Sequence, residues 1–342
     1  MGALRHIGGI AWCAGIAVFI GLIMWSGLSE IGSTILSVGW GMLFVVLTRV
    51  ATVSVAGAGW WMLFPARGRV RLWLAIFLRF VREAVNSLLP LTQVGGDIVG
   101  ARLLTFWAVP GPRAAASVII DVLIQAATLF LFAALGLVLL ITLGADKTVA
   151  WVAATGLGLA IPMLGGFYLA QRGAGRRFLY FVLRRLKFDG SWRVLGTVDA
   201  VYQSLSMIYA RRSTIAASGQ VHMLGWLIGV AEVWIVLACI GHPVSVGDAL
   251  VIESLTQAVR AGAFVIPSAI GAQEAGLILL CGLFGIPSDQ ALALSLIKRA
   301  ADVVVGLPGL VALQILESGR LAANVCRNIR APASIDVQTK SL

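Results

Sequence analysis

Two acidic residues, Asp97 and Glu274, lie in stretches that are otherwise apolar, where a carboxylate could bind a polar group or act as acid or base. They are 177 positions apart, and the same offset relates the prolines on either side of them. The matched prolines are Pro90 with Pro267 and Pro110 with Pro287. A carboxylate between proline-interrupted apolar segments, occurring twice at corresponding places, is typical of a transporter built from two halves.

The first of these stretches, NSLLPLTQVGGD, predicts a helix that breaks inside the membrane. Pro90 lacks a backbone N–H, and Gly95 and Gly96 let the backbone turn. Non-helical backbone at membrane depth persists only where protein or a water-filled cavity surrounds it, so the motif predicts a polar cavity. The candidate lining residues are Asn86, Thr92, Gln93, Asp97 and Arg102 in the first copy, and Arg260, Gln273 and Glu274 in the second. The alternative is that these side chains only cap broken helices and pair with one another, as Asp97 and Arg102 could.

Further charges occur in the last apolar run, in the sequence SLIKRAAD. Lys298 and Asp302 are four residues apart, so they share a helix face and could partly neutralise each other. Arg299 is then left for a lipid headgroup or for Glu274 across the cavity. Asp121, which the 177-residue offset matches with Lys298, gives the first half an acid where the second half has a base, and it joins the candidate site. Three other charges in apolar runs have no evident partner and are either packing devices or functional residues: Arg49, Glu232 and Glu253.

The composition places this pattern in a membrane. Of 342 residues, 59% are hydrophobic and 12% are charged, which leaves too little polar surface to cover a water-soluble globule of this size. The formal charge is +11, but the lysines and arginines cluster between apolar runs, so membrane topology explains them and no nucleic acid partner is predicted. The four cysteines are far apart and lack metal-binding spacing, and no disulfide, metal or other cofactor is predicted.

The apolar runs predict an all-α polytopic membrane protein with about six spanning helices, since about 20 apolar residues in a helix cross the hydrocarbon layer. The runs cover approximately residues 7–25, 34–64, 114–143, 148–170, 215–240 and 291–316. A cleaved signal peptide is the alternative for the first run, although no small-residue cleavage site follows it. The two proline-containing motifs lie between the spans, at 83–112 and 246–288.

The basic segments predict which side of the membrane each loop occupies. Residues 65–82 and 171–212 are rich in arginine and are predicted to be cytoplasmic, so the two spans between them form one complete excursion. The motif at 83–112 must then enter and leave by the cytoplasmic face, whereas the motif at 246–288 enters and leaves by the outer face. The motifs are therefore predicted to be two Pro-broken re-entrant hairpins in an inverted repeat, with both chain termini cytoplasmic.

This topology divides the chain into an N-terminal half, 1–170, a basic cytoplasmic segment, 171–212, a C-terminal half, 213–318, and a polar cytoplasmic tail, 319–342. In the basic segment, arginines alternate with aromatic and leucine residues, which predicts an amphipathic helix on the membrane surface. Anionic lipid headgroups attract such a helix by about 1 kcal/mol per basic residue. The segment is either a topology anchor or a specific lipid pocket.

Three motifs of the chain resemble a known family, the flippase-like membrane proteins related to the transmembrane region of lysylphosphatidylglycerol synthase. They are REAVNSLLPLTQVGGDIVGARLL, VIPSAIGAQEAGLILL and ALALSLIKRAADVVVGLPGL, and the resemblance covers about residues 10–318. The VGGD-x-VGARLL form is similar to the hopanoid-biosynthesis-associated subgroup. The resemblance implies a bacterial inner-membrane protein linked to lipid translocation, with membrane lipids, hopanoids among them, as partners. The positions that match the family's motifs are Asp97, Arg102, Gln273, Glu274, Lys298 and Arg299.

Two departures from the family limit what the resemblance implies. Many relatives have a Glu-Arg pair just ahead of the acid that matches Asp121, whereas this chain has Ile119 and Ile120. The apolar pair favours a neutral or polyol headgroup over a strongly anionic one. Only residues 319–342 follow the last predicted span, so lysyl transfer by this polypeptide alone is not expected.

The predicted function is that of a lipid flippase, not an enzyme, which exposes a central polar groove alternately to the two sides of the membrane. The alternative is an integral membrane transferase or hydrolase acting on a polyprenyl or hopanoid lipid. Against an enzyme, His6 and His222 are predicted at the ends of spans and His242 lies in a Gly-His-Pro turn. No HExxH or Gly-Lys-Ser/Thr motif occurs either. A solute or ion transporter built on the same repeat is a third option.

Overall fold

The computed structural model describes residues 39–65, 68, 70–89, 95–144, 147–173, 175–177, 192–264, 266, 269 and 271–330. Side chains are described for all of these except 147, 192–195 and 320–330. Several sequence predictions therefore lie outside the described residues: the first span at 7–25, Pro90, Thr92, Gln93, Pro267, residues 174 and 178–191 of the basic segment, and the end of the tail.

Every secondary-structure element in the described part of the chain is a helix. The α-helices are α1 Gly41–Trp61, α2 Leu72–Leu88, α3 Gly95–Leu104, α4 Gly111–Thr142, α5 Lys147–Ala170, α6 Trp192–Tyr209, α7 Arg212–Cys239, α8 Val246–Gly262, α9 Ala272–Leu283 and α10 Ser288–Arg330. A short 3₁₀ helix, Thr105–Trp107, follows α3. The prediction of an all-α protein is confirmed for these residues.

Five of the described helices are long and apolar enough to cross a membrane, namely α1, α4, α5, α7 and the part of α10 from Ser288 to Gly319. They coincide with the predicted runs from 34–64 onward, although α1 is shorter than its run. No described side chain of α5 is fully buried, but Val149, Ala150 and Ala153 pack against the apolar core and α5 contacts α4. The chain is thus a multi-pass membrane protein.

The two proline-containing motifs are interrupted helices, as their sequences predict. Helix α2 ends at Leu88 and α3 begins at Gly95, while α8 ends at Gly262 and α9 begins at Ala272. The starts of α3 and α9 differ by 177 positions, which is the offset of the sequence motifs. The starts of α4 and α10, directly after Pro110 and Pro287, differ by the same 177 positions.

Helix packing follows the same correspondence between the two halves. At the 177-residue offset, α2 corresponds to α8, and α4 corresponds to α10. Helix α2 packs on α10, and α8 likewise packs on α4. Helix α1 packs on α2 as α7 packs on α8, and α1 and α7 pack on each other. Helices α3 and α9 each lie against the helix before them and the helix after them. The interface between the halves is therefore built from matched helices.

Glycines permit the close approach of helices at this interface. A Cβ atom at Gly136 in α4 would lie 1.8 Å from the hydroxyl of Ser254 in α8. A Cβ atom at Gly309 in α10 would lie 2.8 Å from both Ala84 Cβ and Phe80 O in α2. Helix backbones at such a distance leave no room for a larger residue.

Leucine in place of Gly309 is expected to lower the free energy of unfolding by about 1–3 kcal/mol, because the added side chain must push α10 away from α2. The midpoint of thermal unfolding in detergent measures the effect. Gly319→Leu is the matched control, since a Cβ at Gly319, on the same helix, meets nothing within 4 Å. Equal midpoints for the two variants would contradict the close packing of α2 and α10.

The end of α5 is tied to α6 by aromatic and polar contacts. The Arg172 guanidinium lies over the rings of Tyr168 and Tyr209, at 4.8 and 4.3 Å from their centroids. The Tyr209 hydroxyl donates to Gln171 Oε1 at 2.7 Å, and burial raises the pKa of Tyr209 to about 12, so the phenol stays protonated. Of the predicted amphipathic helix at 171–212, residues 178–191 lie outside the described part of the chain.

Candidate functional site

A cavity of about 310 Å³ lies between helices of both halves, α1 to α4 on one side and α7 and α8 on the other. Its volume is at the lower end of the range, about 300–1,000 Å³, that is usual for small-molecule sites. Ionisable side chains dominate its polar lining: Arg49, Arg79, Glu83, Asp97, His222, Glu232, Glu253 and Arg260. So many ionisable groups inside a bundle of apolar helices make this cavity the candidate functional site.

Asp121 is the centre of a buried ion cluster at one end of the cavity. Its side chain is fully buried, and its Oδ2 lies 2.8 Å from Arg82 Nη1 and 3.3 Å from Arg79 Nη1. Its Oδ1 lies 3.1 Å from His222 Nε2. Arg82 also donates from Nε to Asp97 Oδ1 at 3.0 Å, so one guanidinium bridges two carboxylates. These five residues, Arg79, Arg82, Asp97, Asp121 and His222, form the Asp121 cluster.

The sequence VGGDIVG allows α3 to approach α2 closely enough for this contact. A Cβ at Gly96 would lie 2.1 Å from the Arg82 carbonyl oxygen, and a Cβ at Gly100 would lie 2.5 Å from Arg82 Cδ. The Gly96 N–H also donates to Asn86 Oδ1 at 2.7 Å, which holds the start of α3 against α2. The Arg82 guanidinium lies 4.5 Å from the centroid of the Trp60 ring, which fixes its orientation from the other side.

A second buried ion cluster joins four helices at the other end of the cavity. Lys298 in α10 is fully buried, and its Nζ lies 2.7 Å from Glu253 Oε2 in α8 and 3.8 Å from Glu232 Oε2 in α7. Arg49 in α1 lies 3.0 Å from Glu232 Oε1 and 3.2 Å from Asp302 Oδ1. These five residues, Arg49, Glu232, Glu253, Lys298 and Asp302, form the Lys298 cluster.

A third group, around Glu274, lies between α9 and α10. Arg299 contacts Glu274 Oε1 through Nη2 at 2.5 Å and through Nε at 2.8 Å. The Ser295 hydroxyl donates to the same oxygen at 3.0 Å and accepts from Gln273 Nε2 at 3.1 Å. Glu274 Oε2 accepts from the N–H of Gly271, so this carboxylate also caps the start of α9. None of these four side chains is among the described residues that line the cavity.

The structure separates the predicted site residues into these three groups. Asn86 and Asp97 line the cavity, and Asp121 lies behind them in the Asp121 cluster. Lys298 contacts two cavity-lining glutamates, whereas the predicted residues Gln273, Glu274 and Arg299 belong to the group around Glu274. Gln93 lies outside the described residues. Of the two partners suggested for Arg299, a lipid headgroup and Glu274 across the cavity, Glu274 is the one observed, but the pair lies between α9 and α10 and outside the described cavity lining.

Two pairings suggested by the sequence differ from the observed ones. Arg102 is 64% exposed and pairs with Glu317 at 2.9 Å, while Asp97 pairs with Arg82. Five residues on a helix are about 140° apart around its axis, so Asp97 and Arg102 point to different sides of α3. Lys298 and Asp302 share a helix face as expected, but each pairs with residues of other helices.

Three residues of the candidate site are not among those that the sequence predicts for it. Arg79 and Arg82, which the sequence places in a basic segment predicted to be cytoplasmic, are buried in α2. His222, which the sequence predicts at the end of a span, lies inside α7, 3% exposed, against Asp121. The spacing of Arg79, Arg82 and Asn86 at i, i+3 and i+7 was the available signal, because it places all three on one helix face.

Comparison with known proteins identifies the chain at the level of the family. Neither a curated protein nor a solved structure gives a match to the chain. The family model described as the lysylphosphatidylglycerol synthase TM region matches residues 12–309, which include both interrupted-helix motifs and all three groups of ionisable residues. The chain therefore belongs to the lysylphosphatidylglycerol synthase TM region family of membrane proteins.

Proposed function

We propose that the protein moves a polar-headgroup lipid across the bacterial inner membrane by opening its cavity alternately to the two sides. The observation that carries this proposal is the cavity itself, lined by ionisable residues from both halves and enclosed by apolar helices. A headgroup would occupy the polar cavity while the lipid tail stays in hydrocarbon. Binding and release need no covalent chemistry, and the protein is not an enzyme in this proposal.

The matched halves support alternating exposure. Helix starts and helix contacts correspond at the 177-residue offset, as they would in two copies of one structural unit. The distribution of arginines favours entry of the two interrupted-helix motifs from opposite faces, with both termini cytoplasmic. Rocking of one half against the other would then expose the cavity to each side in turn.

The pairing of charges around the cavity favours a neutral or polyol headgroup, such as that of a polyol hopanoid. Asp97, Glu232 and Glu253 are each already paired with a cation of the protein. The Arg260 side chain lines the cavity and makes no hydrogen bond or ion pair to another described residue. Its guanidinium is therefore available to a headgroup oxygen. Hydroxyl groups can both donate to the carboxylates and accept from this guanidinium.

Glutamine in place of Arg260 is expected to slow lipid movement about 10- to 100-fold, since a hydrogen bond to a charged group contributes about 1.5–3 kcal/mol. Liposomes holding the purified protein and either acyl-labelled fluorescent phosphatidylglycerol or a radiolabelled polyol hopanoid measure the rate of appearance in the opposite leaflet. Arg102→Gln is the matched control, because Arg102 is an exposed arginine outside the cavity lining. Equal slowing by both variants would argue against a role of the cavity.

The alternative, an enzyme acting on a polyprenyl or hopanoid lipid, has one observation in its favour. Asp121 contacts His222 at the cavity, and a carboxylate-oriented imidazole can act as a general base. Mass spectrometry of the lipids recovered from the same liposomes separates the two functions. Transport leaves every lipid chemically unchanged, whereas an enzyme would produce a lipid of altered mass.

A further inference from the structure

The carboxylate of Glu232 is only half satisfied by its surroundings. The side chain is 1% exposed, and the residue lines the cavity from α7. Oε1 accepts from Arg49 Nη2 at 3.0 Å. Oε2 accepts no hydrogen bond from a described residue, and the nearest cation, Lys298 Nζ, is 3.8 Å away. Among the described residues, the Lys298 ammonium at 3.8 Å is therefore the only cationic group beside Oε2, and it is too distant for a hydrogen bond.

The charges that face Glu232 do not balance. Arg49 reaches it from α1, Lys298 and Asp302 from α10, and Glu253 from α8. Lys298 is already held at 2.7 Å by Glu253, which also accepts from Gln257 at 2.7 Å. Three carboxylates thus share two cations in a buried site, and one negative charge has no counterpart when all three are ionised. A proton on Glu232 would remove this excess.

The other end of the cavity has its own titratable base. There Asp97, Asp121 and the nearby Glu83 face the guanidiniums of Arg79 and Arg82, and His222 can supply the third positive charge. His222 lies ten residues before Glu232 on α7, which is about 15 Å along the helix axis. The five residues of the Lys298 cluster include no histidine. A proton taken up in this cluster would therefore bind to a carboxylate.

We propose that Glu232 takes up and releases one proton in each transport cycle, so that lipid movement is coupled to a transmembrane proton gradient. This inference rests on the proposed function. A hydronium ion in the cavity transfers its proton to Oε2, which gives a neutral carboxylic acid and water. When the cavity opens to the opposite side, water accepts the proton and the carboxylate is restored.

Protonation also links the proton to the lipid. A neutral carboxylic acid is a weaker acceptor than a carboxylate, so protonated Glu232 holds Arg49 less tightly. Arg49 lines the cavity, and its freed N–H groups can then donate to a headgroup oxygen. The proton and the headgroup are thus bound together, and they cross the membrane in the same direction.

The test uses the purified full chain in liposomes, with labelled phosphatidylglycerol or the polyol hopanoid as probe and the membrane potential clamped to zero by valinomycin and potassium. Wild-type protein should drive lipid toward the alkaline side, with a leaflet ratio approaching about tenfold per pH unit at one proton per lipid. Whatever its rate of lipid exchange, Glu232→Gln should show no response to the pH difference, because its amide oxygen can accept from Arg49 but cannot take up a proton. Glu232→Asp keeps a carboxyl group, so its lipid movement should still respond to the pH difference. Asp289→Asn is the control and should respond as well, because Asp289 is an exposed carboxylate outside the cavity lining.

The outcomes separate this inference from the proposed function. Absence of lipid movement under every condition would argue against transport itself. Movement that ignores the pH difference in wild-type protein, or that still responds to it in Glu232→Gln, would overturn proton coupling and leave transport intact. A sodium gradient that drives lipid at equal pH would overturn the choice of the proton.

Infrared spectroscopy gives a readout that does not depend on transport. A carboxylic acid C=O band that persists above about pH 5, where ordinary Asp and Glu side chains are ionised, should titrate in the wild-type protein and be absent in Glu232→Gln. The same band in Glu232→Gln, or no such band in the wild-type protein, would contradict protonation of this residue.

Discussion

Alanine in place of Asp121 is expected to lower the free energy of unfolding by about 3–5 kcal/mol, the usual cost of removing one partner from a buried ion pair. Asp121 is fully buried and is contacted by Arg79, Arg82 and His222. Without its carboxylate, the two guanidiniums remain buried with fewer acceptors, and the His222 ring loses its contact with Asp121 Oδ1. Chemical or thermal unfolding in detergent measures the loss.

Asp121→Asn separates charge from shape in the same experiment. The amide keeps an oxygen that can accept from Arg82, so its stability should lie between those of wild-type protein and Asp121→Ala. Asp289→Ala is the control, because Asp289 is an exposed carboxylate in the first turn of α10. Equal stability of Asp121→Ala and Asp289→Ala would show that the Asp121 cluster does not hold the helices together.

Methionine in place of Lys298 is expected to lower the free energy of unfolding by about 3–5 kcal/mol, because it leaves buried carboxylates without one of their cations. The substitution leaves Glu232, Glu253 and Asp302 with Arg49 as their only cation in the Lys298 cluster. Adding Glu253→Gln should restore part of the stability, because it removes the carboxylate that Lys298 contacts most closely. A double-mutant cycle should therefore show coupling of about 1–3 kcal/mol between the two positions.

Arg102→Met is the control for Lys298→Met. Arg102 pairs with Glu317 at a largely exposed position, where an ion pair contributes about 0–1 kcal/mol. The two substitutions remove one positive charge each, so a difference in stability reports burial and not net charge. Additive effects of Lys298→Met and Glu253→Gln would contradict a direct interaction between these side chains.

The spans and the helix breaks could be predicted from sequence because each depends on local chemistry. Runs such as 114–143 and 148–170 are too long and apolar for any other element, and they are found as α4 and α5. Helices α2 and α8 end at Leu88 and Gly262, shortly before Pro90 and Pro267 in the sequence, and proline disfavours a helix in its own neighbourhood. Neither prediction needs knowledge of another helix.

The ion clusters could be predicted only in part because their partners lie on distant helices. The partners Arg49 and Glu232 are 183 residues apart, and no spacing rule relates them. Arg82 occurs in a stretch rich in arginine, so the sequence alone does not distinguish a buried arginine from those that set topology. The orientation of Arg102 depends on how α3 packs between α2 and α4, which the local sequence does not determine.

Biogenesis imposes an order on the Lys298 cluster. Arg49 enters the membrane within α1, while its partner Glu232 follows 183 residues later, roughly 10–40 s at a synthesis rate of about 5–20 residues per second. During that interval, an unpaired arginine near the centre of a spanning helix costs about 2.5–3.5 kcal/mol on the translocon scale. Pairing with Glu232 and Asp302 offsets this cost only after α7 and α10 have been made, so the second half of the chain stabilises Arg49 in the first.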